Sequence, residues 1–146
     1  MFRKEIETTI NINASANKIW NVLINFEEYE NWNSFIISAN GQAEINKNLK
    51  ITIKVDDYKM MSFKPKILKV KENNELCWLG KVFVSGIFDG LHYFLIKENN
   101  DGTCTFTQGE KFNGILIPFF GKTFINTIKG FEKMNEELKK RAENDL

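Results

Sequence analysis

Hydrophobic and polar positions change period several times along this chain, and each change predicts a change of element. Over residues 3–12, Ile6, Thr8, Ile10 and Ile12 alternate with Glu5, Glu7 and Thr9, the two-residue period of a strand with one apolar face. Ser15 then offers a helix N-cap, and Ala16, Ile19, Trp20 and Leu23 form a short apolar stripe ending near Asn25. Phe26, Tyr29 and Trp32 recur every three residues, which predicts a second short helix or helical turn. From Ile36 the period is two again. Leu49, Ile51, Ile53 and Val55 alternate with Lys50, Thr52 and Lys54, bounded by turn residues on both sides. Met61, Phe63 and Ile67 keep that parity while Leu68 and Val70 take the other, so a bulge is expected near Pro65. Leu76 to Val84 is apolar on both parities, as in a strand with both faces covered, or with one face in the core and one on a pocket. Phe88 to Ile96 and Thr103 to Phe112 read as the last two strands, separated by the turn Asn99-Asn100-Asp101-Gly102.

The final segment is different. From Pro118 to about Glu143, Phe120, Phe124, Ile125, Ile128, Phe131, Met134 and Leu138 recur at spacings of three and four, which predicts one long amphipathic helix. Lys122, Asn126, Lys129, Lys133, Glu136 and Lys140 mark its opposite face. The order of elements is a strand, two short helices, about six further strands joined by short turns, and a long helix. That order gives an α+β fold, with a curved antiparallel β-sheet, meander-like, wrapped around the terminal helix.

Composition narrows the function classes. A chain of 146 residues with 42% hydrophobic content is expected to form a single domain over residues 1–146 with a sizeable core. A net charge of +1 argues against a broad nucleic-acid footprint. No apolar run is long enough to span a membrane. The charged opening Met-Phe-Arg-Lys-Glu, which runs straight into a strand pattern, is unlike a signal peptide. Cys77 and Cys104 have no metal-ligand spacing and are expected to be reduced thiols in a cytoplasmic protein. No nucleophile elbow, phosphate-binding glycine loop, zinc-protease helix or dinucleotide fingerprint is present, so neither a metal nor a cofactor is implied.

Several weak motifs in sequence order then carry a resemblance. Strand one ends in Asn13-Ala14-Ser15, and the segment Trp20 to Trp32-Asn33 follows, with Leu23 and Tyr29 within it. Trp78-Leu79-Gly80, Gly90-Leu91-His92-Tyr93-Phe94 and Glu110-Lys111-Phe112-Asn113-Gly114 come next. Over essentially its whole length the chain resembles the START-like (SRPBCC) superfamily and its small polyketide cyclase/dehydrase-like members. The resemblance implies a helix-grip fold and a cavity between sheet and terminal helix that takes lipids, hormones, polyketides or other apolar molecules. It departs from the usual pattern at Ser34, where many relatives have Pro, and at Asn25, where Asp is common.

Within such a cavity the candidate chemistry is sparse. His92 is the one histidine of the chain, so schemes that need a histidine pair or cluster fall away. By strand parity it sides with Phe88, Gly90, Phe94 and Ile96, facing Trp78 and Glu110. It reads as a polar anchor or acid/base, or as a lining histidine satisfied by a neighbour. Glu110 shares parity with Cys104, Phe106, Gln108 and Phe112, and would either orient His92 or sit at the solvent rim. Trp78, Phe94, Gln108 and Phe112 would form the walls, and Phe124, Ile128 and Phe131 the floor, or else all of them are plain core. Gly130 predicts a close approach of the helix to the sheet. The apolar run 114–121 reads as a lid, as a contact for a partner or a second copy in a homodimer, or as a buried plug. The leading expectation is a binding protein for a small apolar ligand rather than an enzyme. The alternatives are a polyketide cyclase/dehydratase-like enzyme using His92 and Glu110, and an interaction or chaperone-activator-like protein with a filled interior.

Overall fold

A computed structural model describes residues 2–82 and 85–144. Strand β1 (Phe2–Ile12) leads into α1 (Ala16–Ile24), a 3-10 turn (Phe26–Glu28) and α2 (Tyr29–Trp32). Strands β2 (Ile36–Asn40), β3 (Lys50–Lys54), β4 (Met60–Phe63), β5 (Lys66–Lys71), β6 (Glu75–Val82), β7 (Phe88–Glu98) and β8 (Cys104–Gly114) follow. A second 3-10 turn (Ile117–Phe119) precedes α3 (Gly121–Glu143). Residues Phe83 and Val84 of the strand expected over Leu76 to Val84 lie outside the described residues.

The strands form two antiparallel sheets rather than the one expected. One is ordered β1-β8-β7-β6-β5 and the other β2-β3-β4, with a bridge between Asn48 and Lys66 linking them. The parity change read as a bulge near Pro65 is mainly the crossing from one sheet to the other. Lys64-Pro65 separates β4 from β5, and the register slip itself falls between Ile67 and Lys69. Strands β5 to β8 do form a meander, closed at its far edge by β1 pairing with β8.

Helix α1 starts where sequence predicts, with the Ser15 hydroxyl accepting from the Lys18 amide, and it buries Ala16, Ile19, Trp20 and Leu23. Helix α3 begins three residues later than expected. Pro118 belongs to the 3-10 turn, and Phe120, at φ −118° and ψ 29°, separates that turn from the helix. Its buried side chains are Phe124, Phe131, Met134, Asn135, Leu138 and Ala142. Ile125 is 55% exposed, because a stripe centred on Phe124 and Phe131 turns its neighbour outward. Glu137 accepts from the Ser34 amide (3.0 Å) and hydroxyl (2.9 Å), while Arg141 reaches Glu28. A proline at position 34 could make neither bond to Glu137. The departure from the common pattern therefore ties the α2–β2 turn to the terminal helix.

Gly130 lets the same helix close on that turn. A Cβ there would lie 2.3 Å from the Phe35 ring, and Phe35 stacks edge-on to Phe131 with centroids 5.6 Å apart. The core fills the C-terminal half of α3, with Trp20, Leu23, Phe106 and Leu138 among its buried members. The N-terminal half, between the two sheets, is less completely filled.

Candidate functional site

The less filled region is a cavity of about 180 Å³. Phe35, Ile36, Ile51, Ile53, Met61 and Phe63 make one wall from the β2–β4 sheet. Gly80, Phe88, Gly90, His92, Glu110 and Phe112 make the opposite wall from β6, β7 and β8, and Leu116, Phe120, Thr123, Asn126 and Thr127 close the side along α3. Its inner end is formed by buried Ile36, Ile51 and His92, and its outer end includes exposed Lys59 and Lys81. Drug-sized ligands occupy pockets of roughly 300–1,000 Å³. A dry apolar cavity of about 150 Å³ is enough for one benzene ring. The dimensions therefore suit a single ring or a short chain.

His92, Glu110 and Phe112, all named from sequence, meet at this wall. The antiparallel register sets Trp78 opposite His92 and His92 opposite Glu110, so a two-residue period on three strands brings the three side chains into one row. Trp78, Phe94, Gln108, Phe124 and Phe131 stand behind the wall rather than on it. Phe94 stacks on the His92 ring at 4.5 Å, while Trp78 and Phe131 flank it at 5.1 and 4.8 Å. Phe124 packs against Phe112 at 4.8 Å, and Ile128 is half-buried against the core.

The ring of His92 is oriented by Gln108, not by Glu110. Gln108 Oε1 lies 2.9 Å from His92 Nε2, and Gln108 Nε2 donates to Asn135 Oδ1 at 2.8 Å. Asn135 Nδ2 donates to Thr8 Oγ1 at 2.8 Å, and that hydroxyl donates to the Gln108 carbonyl at 3.0 Å. Glu110 Oε1 stands 3.8 Å from the other ring nitrogen, Nδ1, beyond hydrogen-bonding distance. Its carboxyl rests on Gly90, where a Cβ would be 2.1 Å from Oε2.

Burial sets the charge of both groups. It pushes the Glu110 carboxyl up to about 8, so the acid holds its proton at neutral pH. Burial also pulls His92 down to about 4, against the opposing pull of its bond to Gln108, which leaves the imidazole neutral. The site therefore presents a neutral carboxylic acid beside a neutral imidazole on an otherwise apolar wall. Among the described residues no group of three or more His, Cys, Asp or Glu is placed to hold a metal ion.

Sequence reasoning passed over the β2–β4 wall and the polar stripe Thr123, Asn126, Thr127, with Asn126 assigned to the outward face of α3. The clean alternation of Ile51 and Ile53 carried the signal for the first. The spacing of four between Thr123 and Thr127 carried it for the second. The apolar run 114–121 divides: Ile117 is buried, Leu116 and Phe120 line the cavity, and Ile115 and Phe119 are 52% and 78% exposed.

No curated protein matches this chain in sequence. The fold is similar to that of a START superfamily protein from Mycobacterium smegmatis, at 16% identity and TM-score 0.72 over 93% of this chain and 97% of that one. It is similar to the Zhui aromatase/cyclase of a Streptomyces strain, at 9% identity and TM-score 0.78 over 97% and 94%. Norcoclaurine synthase from Thalictrum flavum, solved as a point mutant with a transition-state analogue, gives 14% identity and TM-score 0.72 over 97% and 94%. At such identities the likeness is one of fold. The family model for polyketide cyclase / dehydrase and lipid transport matches residues 3–143. That match spans nearly the whole sequence, and the chain belongs to this family.

Proposed function

We propose that the protein binds a small apolar molecule in the cavity between its two sheets and α3. The observation that carries this reading is a mainly apolar space of about 180 Å³ in which the two titratable groups of the inner sheet wall, His92 and Glu110, are held neutral by burial. Affinity would come from apolar burial at about 25 cal/mol per Å², less the cost of ordering the guest. An interaction protein with a filled interior fits this space less well. The test is thermal or urea unfolding with toluene as a minimal guest. A ligand bound at about 100 times its Kd stabilises by about 2.7 kcal/mol. Thr127→Phe, which fills the cavity from the helix side, removes that stabilisation. If toluene and longer apolar guests leave unfolding unchanged, the reading fails.

A second reading is favoured by one observation, the Glu110 carboxyl at about 8, close to the pKa a general acid needs near neutral pH. On that reading Glu110 gives a proton and His92 accepts one during a cyclisation or dehydration, as the family description and the name of the Zhui aromatase/cyclase suggest. His92→Gln separates the two readings, since binding kept with turnover lost supports the enzyme.

A further inference from the structure

The geometry points to a guest that carries a neutral hydroxyl group, held between the Glu110 carboxyl and the Nδ1 lone pair of His92 in a tautomer set by Thr8, Asn135 and Gln108. This inference rests on the binding reading above and names the chemistry that the site would recognise.

The argument starts at the far end of the buried chain. The Thr8 hydroxyl has one hydrogen, and it goes to the Gln108 backbone carbonyl, which can only accept. Toward Asn135 the hydroxyl must therefore act as acceptor, so the Asn135 amide nitrogen faces Thr8 and its oxygen faces Gln108. That oxygen takes a hydrogen from the Gln108 amide nitrogen, which turns the Gln108 oxygen to His92. An acceptor at Nε2 puts the imidazole hydrogen on Nε2 and leaves Nδ1 a bare acceptor. Each direction follows from the one before it, and a backbone carbonyl, which cannot be flipped, sets the first.

Among the described residues Nδ1 has no hydrogen-bond partner, and Glu110 Oε1 is 3.8 Å away. One oxygen placed about 2.8 Å from each spans that gap. It would accept from the protonated carboxyl and donate to Nδ1. A hydroxyl does both. An ether, ketone or carboxylate oxygen can only accept, and leaves Nδ1 unpaired in an apolar site. Water satisfies the same pair, and a hydroxyl borne on an apolar body displaces it while also filling the cavity. Phenols and small alcohols are the matching class. Thr8, Gln108 and Asn135 are positioning residues, because they reach the guest only through His92.

Two measurements test this. The chain has a single histidine, so nitrogen NMR of the imidazole reads His92 without assignment. A proton on Nε2 and a bare Nδ1 are expected, and a proton on Nδ1 overturns the inference. In Thr8→Val, a change of similar shape on a strand, the end of the chain is freed and a mixture of tautomers is expected. A pure Nε2 tautomer in that variant also overturns it. The second measurement compares phenol with anisole, toluene and benzoate by calorimetric titration at pH 6.5. Phenol is expected to bind about tenfold more tightly than the others, the worth of one or two hydrogen bonds. Equal binding of phenol, anisole and toluene overturns the hydroxyl assignment and leaves the binding reading standing, whereas no binding by any of them removes both.

Discussion

A protonated acid buried at neutral pH makes stability fall with rising pH, and Glu110 provides a measurable case. Its carboxyl titrates from 4.5 in the unfolded chain to about 8 in the folded one. Between those values the folded state holds a proton that the unfolded state has released, so stability decreases as pH rises. His92 acts in the opposite sense between its folded value of about 4 and its unfolded value of 6.5, where the unfolded state holds the extra proton. From pH 4.5 to 6.5 the two slopes oppose each other and stability stays nearly level. From 6.5 to 8 the Glu110 slope dominates as the His92 contribution fades. Tyr29, Tyr93, Cys77 and Cys104 are all shifted upward from already basic values, and Asp101 and Glu143 are shifted downward from acidic ones.

Between pH 6.5 and 8, with His92 half-titrated in the unfolded chain at the lower end and Glu110 half-titrated in the folded one at the upper, the net loss is about 1.2 kcal/mol. At this chain length such a loss lowers the melting temperature by about 3–5 °C. Urea unfolding followed by circular dichroism at pH 6.5 and 8, at constant ionic strength, measures it directly. Glu110→Gln keeps the shape and a hydrogen-bond donor but cannot titrate, so its stability is expected to be level across the same interval. A wild-type protein equally stable at both pH values, or a Gln variant that loses as much, would refute the assignment of a buried neutral acid.

Other consequences follow from close contacts. Gly130→Ala should raise helix propensity, yet its Cβ would meet the Phe35 ring at 2.3 Å, so a net destabilisation of about 1–3 kcal/mol is expected by urea unfolding. Gly90→Ala would drive a methyl group into Glu110 Oε2. It should displace the carboxyl toward solvent and shrink the pH 6.5-to-8 stability loss relative to wild type. Ser34→Pro removes two donors to Glu137 and is expected to cost about 2 kcal/mol, with Ser34→Ala losing roughly half of that in the same assay. Phe119→Ser, at a side chain 78% exposed, should change stability by less than about 0.5 kcal/mol, and a larger loss would mean that the segment is covered.

Much of this architecture can be read from the alternation of side chains, because a strand offers only two faces. The row Trp78, His92, Glu110 follows from parity once the Asn99–Gly102 turn joins β7 to β8. Parity does not say which wall faces which. Ile51 and Ile53 are as regular as any residues in the chain, but facing His92 across a cavity depends on the crossing at Lys64-Pro65 into a second sheet, a matter of tertiary packing. Helical spacing has the same limit. Phe124 and Ile125 share a stripe on paper, but in the fold the buried stripe is centred on Phe124 and Phe131, so Ile125 faces out while Asn126 and Thr127 line the cavity.

The buried polar chain was the least legible feature, and the reason is physical. Thr8 and Asn135 are 127 positions apart, and although parity puts Thr8 on the apolar face of strand one, nothing in the sequence pairs it with Asn135. A buried amide is tolerable only when both its oxygen and its nitrogen are paired, so Asn135 can enter the core only because Thr8 and Gln108 are there to meet it. The same requirement runs on to His92. A histidine in so apolar a place needs an acceptor at one nitrogen to hold one tautomer, and Gln108 supplies it from within the core. The cavity face of the ring is thereby released from any structural duty. On the binding proposal, what Nδ1 meets there is left to the guest, so that on the sheet wall recognition would reside in one nitrogen and one carboxyl.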